Sequence, residues 1–309
     1  MKYNKILFIG YSDFFRRRIY PSISKIKNLK IFVCSKSKKN VSTTLIKFSN
    51  YEEALSHNYN FVYISLVNSF HFKIAKLALE MNHNIIVDKP LVTKFREFKI
   101  LSKIAKKRRL LLIEGTFFTL HRLFEKIKKE NNNFKNLNDL EAVFNIPTKN
   151  KEKYKIKNLK KLNLDCLSDM SAYTVGLINF FFKEKIIFSK IIKNYYKKNR
   201  LIKSFKAILS FEKNKFFYGN FSFGKEYQSS ITLRFEDKTI TIPHQAFALP
   251  NKKIHYFVKS KNIIKKLYIK DNLIKNFFVV VLKLKYKESL LNNLENIYKQ
   301  KRNLNLLDE

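Results

Sequence analysis

The chain has 309 residues and a formal net charge of +39, from 63 Lys+Arg against 24 Asp+Glu, yet 45% of it is hydrophobic and only 5 residues are glycine. That apolar content excludes disorder as the main state, because chains that stay unfolded combine high charge with low hydrophobicity. The charge invites a nucleic-acid reading, but no recognition motif and no basic helix with interleaved aromatics stands behind it; Lys, Asn, Ile, Phe, Tyr and Met together exceed half of the chain, a bias of AT-rich coding that scatters lysine over the whole surface.

The length predicts two domains. In chain order, the first third alternates short apolar runs with helical periodicity, the sign of βαβ units and a parallel sheet. Lys5 to Gly10, Lys30 to Cys34, Asn60 to Leu66, Asn84 to Asp88 and Leu110 to Glu114 read as strands, and Asp13 to Lys27, Ser69 to Met81 and Thr93 to Arg108 as helices. Continuous runs such as Phe61-Val62-Tyr63-Ile64 suit strands covered on both faces. Residues 1–118 are therefore expected to form a doubly wound, Rossmann-type domain. Beyond it come a helix near His121 to Glu130, a Lys/Asn-rich stretch from Asn131 to Asn163 and a helix from Met170 to Phe182. Strands are expected at Phe205 to Phe211, Phe216 to Phe223, Ser229 to Phe235 and Thr239 to Pro243, with Glu236-Asp237-Lys238 as a hairpin turn. The segment from Asp271 onward reads as amphipathic helix. Residues 119–309 are thus expected as an α+β domain on an open, mostly antiparallel sheet.

Cys34 and Cys166 are the only cysteines and lack any CxxC or Cys/His spacing that holds zinc, so reduced, buried thiols and no metal are expected. Apolar runs such as Ile6-Leu7-Phe8-Ile9 and Phe277 to Leu282 are too short for a secretory signal or a membrane span. A cytosolic location without membrane insertion is expected.

Chemistry is expected at the carboxyl ends of the parallel strands, where ligands sit in such sheets. Gly10 ends the first strand and opens Gly10-Tyr11-Ser12-Asp13-Phe14-Phe15, a strand-to-helix turn of the kind whose backbone N–H groups hold a dinucleotide pyrophosphate. Only the first glycine of G-x-G-x-x-G is present; Ser12 is small enough for close approach, Phe15 replaces the small third residue, and a plain turn without ligand is the competing reading. After the second strand, Cys34-Ser35-Lys36-Ser37-Lys38-Lys39 offers no carboxylate to a ribose 2′-OH but has basic groups for a 2′-phosphate, which favours NADP over NAD. Asp88-Lys89-Pro90 ends another strand, and a lysine held there by the following proline serves as hydrogen-bond donor or proton relay to an alcohol or carbonyl.

The run Phe61-Val62-Tyr63-Ile64-Ser65, Asn68-Ser69-Phe70-His71, Ala78-Leu79 and Val87-Asp88-Lys89-Pro90 resembles the Gfo/Idh/MocA (glucose-fructose oxidoreductase / inositol dehydrogenase) family, in which a strand, an N-x-x-H turn, a helix and an E-K-P motif follow in this order and spacing. Ile9-Gly10 with Arg18 and Pro21 looks like the family's first strand and helix, Thr116 to Lys128 like its domain crossover, and Asp165 to Phe182 like the segment with its D-x-x-x-H pair. The resemblance implies an NAD(P)-dependent dehydrogenase or reductase acting on the CH–OH group of a sugar, sugar nucleotide or polyol. It carries the catalytic lysine onto Lys89 and the acid before it onto Asp88, while Asp169 matches the helix motif and Tyr173 stands where the family has His. Lys89 and Tyr173 then handle the alcohol proton and Asp169 orients a hydroxyl. Gly10, Ser12, Asp13, Phe14, Ser35, Lys36, Asn68, His71, Asp88 and Lys89 are the implied cofactor residues, for NADP or NAD; Lys89, Arg122, Asp169 and Tyr173 are the implied substrate residues. His121 opens the second domain beside Arg122, and Gly176 stands where many members carry a second Asp. The open sheet implies a homo-oligomer, and Asp-Lys-Pro, Thr-Phe-Phe and Ser-Asp-Met-Ser-Ala-Tyr look like a branch tied to surface-polysaccharide sugars. Loss of the other fingerprint glycines supports the alternative, a pseudoenzyme that keeps the fold and acts as a binding or partner subunit.

Overall fold

The structure, a computed structural model, describes residues 4–36, 45–147, 165–197 and 200–308. The chain divides into two compact units, one of residues 1–116 with 274–302 and 308–309, the other of residues 117–273 with 303–307.

The first unit is built on a six-stranded parallel sheet in the order β3-β2-β1-β4-β5-β6, with β1 Asn4–Ile9, β2 Leu29–Cys34, β3 Ile46–Phe48, β4 Phe61–Ile64, β5 Ile85–Val87 and β6 Leu112–Glu114. Ile6 to Ile9 and Phe61 to Ile64 are buried along their whole length, as a sheet covered on both faces requires. The strand order reverses between β1 and β4, so the crevice at their carboxyl ends is the switch point of the doubly wound sheet. Helices Asn68–Glu80 and Phe95–Arg108 are among its crossovers.

Helices Leu273–Val281 and Glu288–Asn303 complete this unit. Phe278 packs on Phe8 and Tyr63 with ring centroids 6.0 and 5.7 Å apart, and Tyr298 stacks on Phe98 at 4.1 Å. The expected boundary therefore needs correcting: residues 274–302 belong with the N-terminal unit, because its sheet leaves apolar side chains that these helices cover. A second correction concerns Asp13 to Lys27. In place of one long helix, a π-helical turn Phe15–Ile19 runs into a short α-helix Tyr20–Ile23. Pro21 has no N–H to continue the ladder.

The second unit carries an eight-stranded sheet in the order β14-β13-β12-β11-β7-β10-β9-β8. Its strands are β7 Leu137–Ile146, β8 Ile186–Tyr195, β9 Ile202–Phe211, β10 Lys215–Phe223, β11 Gln228–Phe235, β12 Thr239–Ile242, β13 Lys253–Ser260 and β14 Ile263–Lys270. The β7–β10 pair is parallel and all others are antiparallel. Helix Cys166–Phe181 packs on β9 and β10. Asp165 starts it: its side chain accepts from the Ser168 N–H at 2.8 Å, and the Ser168 hydroxyl accepts from the Asp165 N–H at 3.1 Å, a reciprocal cap.

Five strands lie outside the expected set, the three-residue edge strand β3 among them. β7 falls in the Lys/Asn-rich stretch, where Leu137, Leu140, Ala142 and Phe144 nonetheless point into the core; residues 148–164 of that stretch lie outside the described residues. Strands β8, β13 and β14 are largely exposed and so show no clean alternation. Both cysteines are free and buried. Among the described residues no helix is long and apolar enough to cross a membrane, and no His/Cys/Asp/Glu cluster could hold a metal ion.

Candidate active site

Gly10 sits at the end of β1 with φ +106°, and a Cβ there would lie 2.2 Å from the carbonyl oxygen of Ser65. Only glycine allows strand and neighbouring loop to approach this closely. Ser12 follows, its hydroxyl accepting from the Phe15 N–H at 3.0 Å and lying 2.8 Å from the Ser65 hydroxyl. Asp13 pairs with Arg16 at the surface, and Phe14 is exposed. Phe15, the large residue at the third fingerprint position, is buried with its ring against Phe8 at 4.6 Å. Its bulk is taken up by the core and not by the turn.

At the end of β2, Ser35 is buried and its N–H donates to Phe48 O at 2.9 Å. Lys36 is exposed and holds its ammonium 4.7 Å from the centre of the Tyr51 ring. Ser37, Lys38 and Lys39 lie outside the described residues. Helix Tyr51–Leu55 brings a carboxylate to this place that the local sequence did not announce. Burial foremost, with the Glu53 charge next, pushes the Cys34 thiol up to about 11, while Lys36 opposes the shift. Among the described residues, Glu53 and Lys36 thus lie beside the end of β2, and burial disfavours the Cys34 thiolate.

The segment after β5 is fixed from several sides. Asp88 accepts from the Tyr63 hydroxyl and, at 2.7 Å, from the Ser65 hydroxyl. Burial raises its carboxyl above the ordinary range, and hydrogen bonds from Ser65 and Tyr63 with the charges of His71 and Lys89 oppose that rise. Lys89 is joined to Pro90 by a cis peptide bond. His71, on the helix that Asn68 opens, is buried, with Nδ1 2.7 Å from Pro90 O and Nε2 3.1 Å from Leu66 O. Both ring nitrogens therefore face backbone carbonyls, tying the end of β4 to the end of β5.

Sequence reasoning missed the residues that hold Leu91. The Leu91 N–H donates to Glu114 Oε1 at 3.0 Å, and the same carboxylate accepts from Tyr298 at 2.6 Å and from Lys301 at 2.9 and 3.0 Å. Glu114 and Lys301 are almost wholly buried. Burial would push the Glu114 carboxyl up, but the Lys301 charge and the Tyr298 and Leu91 donors outweigh it and hold the carboxyl below its ordinary value. A lone Lys near the end of an amphipathic helix carries no local sign of this pairing across the fold.

In the second unit, Asp169 and Tyr173 lie four residues apart on helix Cys166–Phe181, which places them on one face. Three aromatic rings set Tyr173: Phe118 at 5.4 Å, Phe144 at 5.5 Å and Phe247 at 5.0 Å. The Arg122 N–H, at the start of helix Arg122–Glu130, donates to Asp271 at 2.8 Å. His121 caps that helix, its Nδ1 accepting from the Leu123 N–H at 3.0 Å, and its buried Nε2 has no hydrogen-bond partner among the described residues. Burial lowers the His121 pKa to about 4, with Asp271 opposing and Arg122 adding to the shift. Because the folded value lies below the unfolded 6.5, the unfolded chain binds the extra proton, and stability is lost as pH falls from about 6.5 toward 4. The loss amounts to about 3 kcal/mol. Urea unfolding across that range checks it, and His121→Asn, which keeps a capping oxygen but does not titrate, flattens the pH dependence.

Residues 4–116 match the family described as an oxidoreductase family with an NAD-binding Rossmann fold, Gfo/Idh/MocA. No curated protein sequence matches the chain. Among solved structures, KijD10, a 3-ketoreductase from Actinomadura kijaniata in complex with NADP and TDP-benzene, superposes with a TM-score of 0.85 at 15% identity over 96% of this chain and 95% of its own. A variant of KijD10 in complex with the same two ligands gives 0.85 at 13% identity over 100% of this chain and 98% of its own. UDP-N-acetylglucosamine 3-dehydrogenase GnnA from Acidithiobacillus ferrooxidans gives 0.72 at 14% identity over 98% of both chains. Sequence of this divergence shows shared fold; over residues 4–116, which hold the switch-point glycine and the Asp-Lys-Pro segment, the chain is similar to the Gfo/Idh/MocA oxidoreductases.

Proposed function

We propose that the chain is an NADP(H)-dependent oxidoreductase whose substrate is a nucleotide-linked sugar, reduced or oxidised at a ring carbon. The observation that carries this reading is the fixing of Lys89 at the carboxyl edge of the sheet. Asp88 before it is held by Tyr63 and Ser65, Pro90 after it by His71, and Leu91 by Glu114. A lysine clamped on both sides is preorganised for proton transfer. The fold neighbours act on nucleotide sugars by name, or hold a nucleotide analogue with NADP, and their variants include changes at a lysine and at a tyrosine.

In this reading Gly10 and the Ser12 to Phe15 turn hold the pyrophosphate, and Lys36 meets the 2′-phosphate. A bound nicotinamide supplies hydride transfer. Lys89 and Tyr173 hold and return the proton of the reacting hydroxyl, Asp169 orients a neighbouring hydroxyl, and Arg122 faces the anionic part of the substrate. A role in surface-polysaccharide biosynthesis and a cytosolic location go with it. The open sheet supports self-association, since Ile187, Phe188, Ile263 and Ile264 on its outer strands are each more than half exposed.

Titration with NADPH and NADH at two salt concentrations, followed by nicotinamide fluorescence, tests the reading. Micromolar binding, tighter for NADPH and weakened about tenfold or more by Lys36→Glu, is expected. Equal binding of the two nucleotides would remove the role given to Lys36. Absence of binding in a folded protein would favour the alternative, a partner subunit without cofactor, for which the missing fingerprint glycines speak.

A further inference from the structure

Four groups in the first unit form a chain whose direction follows from their chemistry. A carboxylate only accepts, so the Ser65 proton lies on the bond to Asp88 Oδ2 at 2.7 Å. Ser65 has no second proton, so in its 2.8 Å contact with Ser12 the donor is Ser12. Ser12 in turn accepts from the Phe15 N–H at 3.0 Å. The protons therefore run one way, from Phe15 through Ser12 and Ser65 to Asp88, and the Ser12 hydroxyl proton is committed to Ser65.

We propose that Asp88 is a positioning residue for the cofactor turn: through Ser65 it fixes the direction of the Ser12 hydroxyl, and so withholds from a dinucleotide phosphate a donor that the turn would otherwise present. The proposal rests on the reading that this turn takes a pyrophosphate. It assigns a purpose to the serine that stands where a fingerprint glycine is expected. Ser12 closes the first helical turn as an acceptor, and its donor side is held by the acid that precedes Lys89. Cofactor affinity is thereby moderated by the same side chain that helps to place the proposed proton donor.

Replacement of Asp88 by Asn reverses the chain. The amide oxygen takes the Tyr63 hydroxyl, a buried donor whose acceptor is Asp88, and the amide nitrogen then faces Ser65 as a donor. Ser65 passes its proton to Ser12, and the Ser12 hydroxyl turns outward. Ser65→Ala frees Ser12 by a different route, cutting the chain without touching the carboxylate.

The test is NADPH affinity by fluorescence titration in the wild type, Asp88→Asn, Ser65→Ala, Ser12→Ala and the Ser12→Ala/Asp88→Asn double variant. Asp88→Asn and Ser65→Ala are expected to bind about tenfold more tightly, the low end of what a hydrogen bond to a charged group contributes. In the Ser12→Ala background, whatever the affinity of that variant itself, Asp88→Asn is expected to bring no further tightening. A merely structural role for Asp88 predicts weaker binding on its removal. Wild-type binding with no tightening in Asp88→Asn and Ser65→Ala, or additive effects in the double variant, overturns the proposal and leaves the cofactor reading in place. Failure of the wild type and of every variant to bind overturns both, whereas binding gained only in the two releasing variants supports the proposal in its strongest form.

Discussion

Lys89→Ala is expected to lower kcat by about a thousandfold, within the range that a positioned general acid or base contributes, while NADPH affinity changes by less than about threefold. The split follows from where the side chain stands. Lys89 is flanked by residues that anchor backbone and carboxylate through hydrogen bonds of its neighbours with Tyr63, Ser65, His71 and Glu114, while its charge helps to keep Asp88 ionised. In the proposed role, removing it deletes a proton donor and leaves the hydrogen bonds of Asp88, Pro90 and Leu91 to act on the segment. Lys89→Arg keeps the charge but not the proton affinity, so it recovers little. In the proposed role Tyr173→Phe is expected to cost about a hundredfold. Single-turnover rates with a nucleotide-sugar substrate and NADPH check these values. A loss of only a few-fold for Lys89→Ala in an active enzyme removes the lysine from the proposed role.

The second large effect falls on stability. Lys301→Met leaves the Glu114 carboxylate buried without its counter-charge, and the expected cost is about 3–5 kcal/mol. Thermal unfolding registers this as a fall of roughly 6–20 °C. The double change Glu114→Gln/Lys301→Met is expected to recover most of the loss, because a neutral amide still accepts from Tyr298 and Leu91 without a buried charge. The pairing also has an acid limit. It holds the Glu114 carboxyl below the ordinary 4.5, so its contribution is present above about that pH and is lost as pH falls further. A double variant no more stable than Lys301→Met refutes the assignment of the loss to an uncompensated charge.

The parallel sheet of the first unit was legible because its strands are buried on both faces and read as unbroken apolar runs between helical patterns. Edge strands β8 and β14 were not, since exposure removes the alternation that marks a half-buried strand. Of the candidate site, Gly10 and Asp88-Lys89-Pro90 were readable as short motifs at strand ends. Glu114, Tyr298 and Lys301 were not, because the partners are 184 and 187 residues apart and each looks ordinary in its own neighbourhood. Phe15 shows the opposite failure. Its size argued against a phosphate turn, yet the side chain goes into the core beside Phe8, a direction that the local π-helical turn decides and the residue name does not.

The return of helix Glu288–Asn303 to the first unit bears on how the chain comes off the ribosome. Glu114 is synthesised 187 residues before Lys301, a wait of roughly 10–40 s at ordinary elongation rates. Throughout that interval the nascent sheet exposes the faces of Phe8 and Tyr63 that Phe278 later covers, and holds an acid with no base to meet it. The N-terminal unit is thus the first to be translated and among the last to be finished, so a nascent chain stalled before residue 274 offers proteases and chaperones an open Rossmann half.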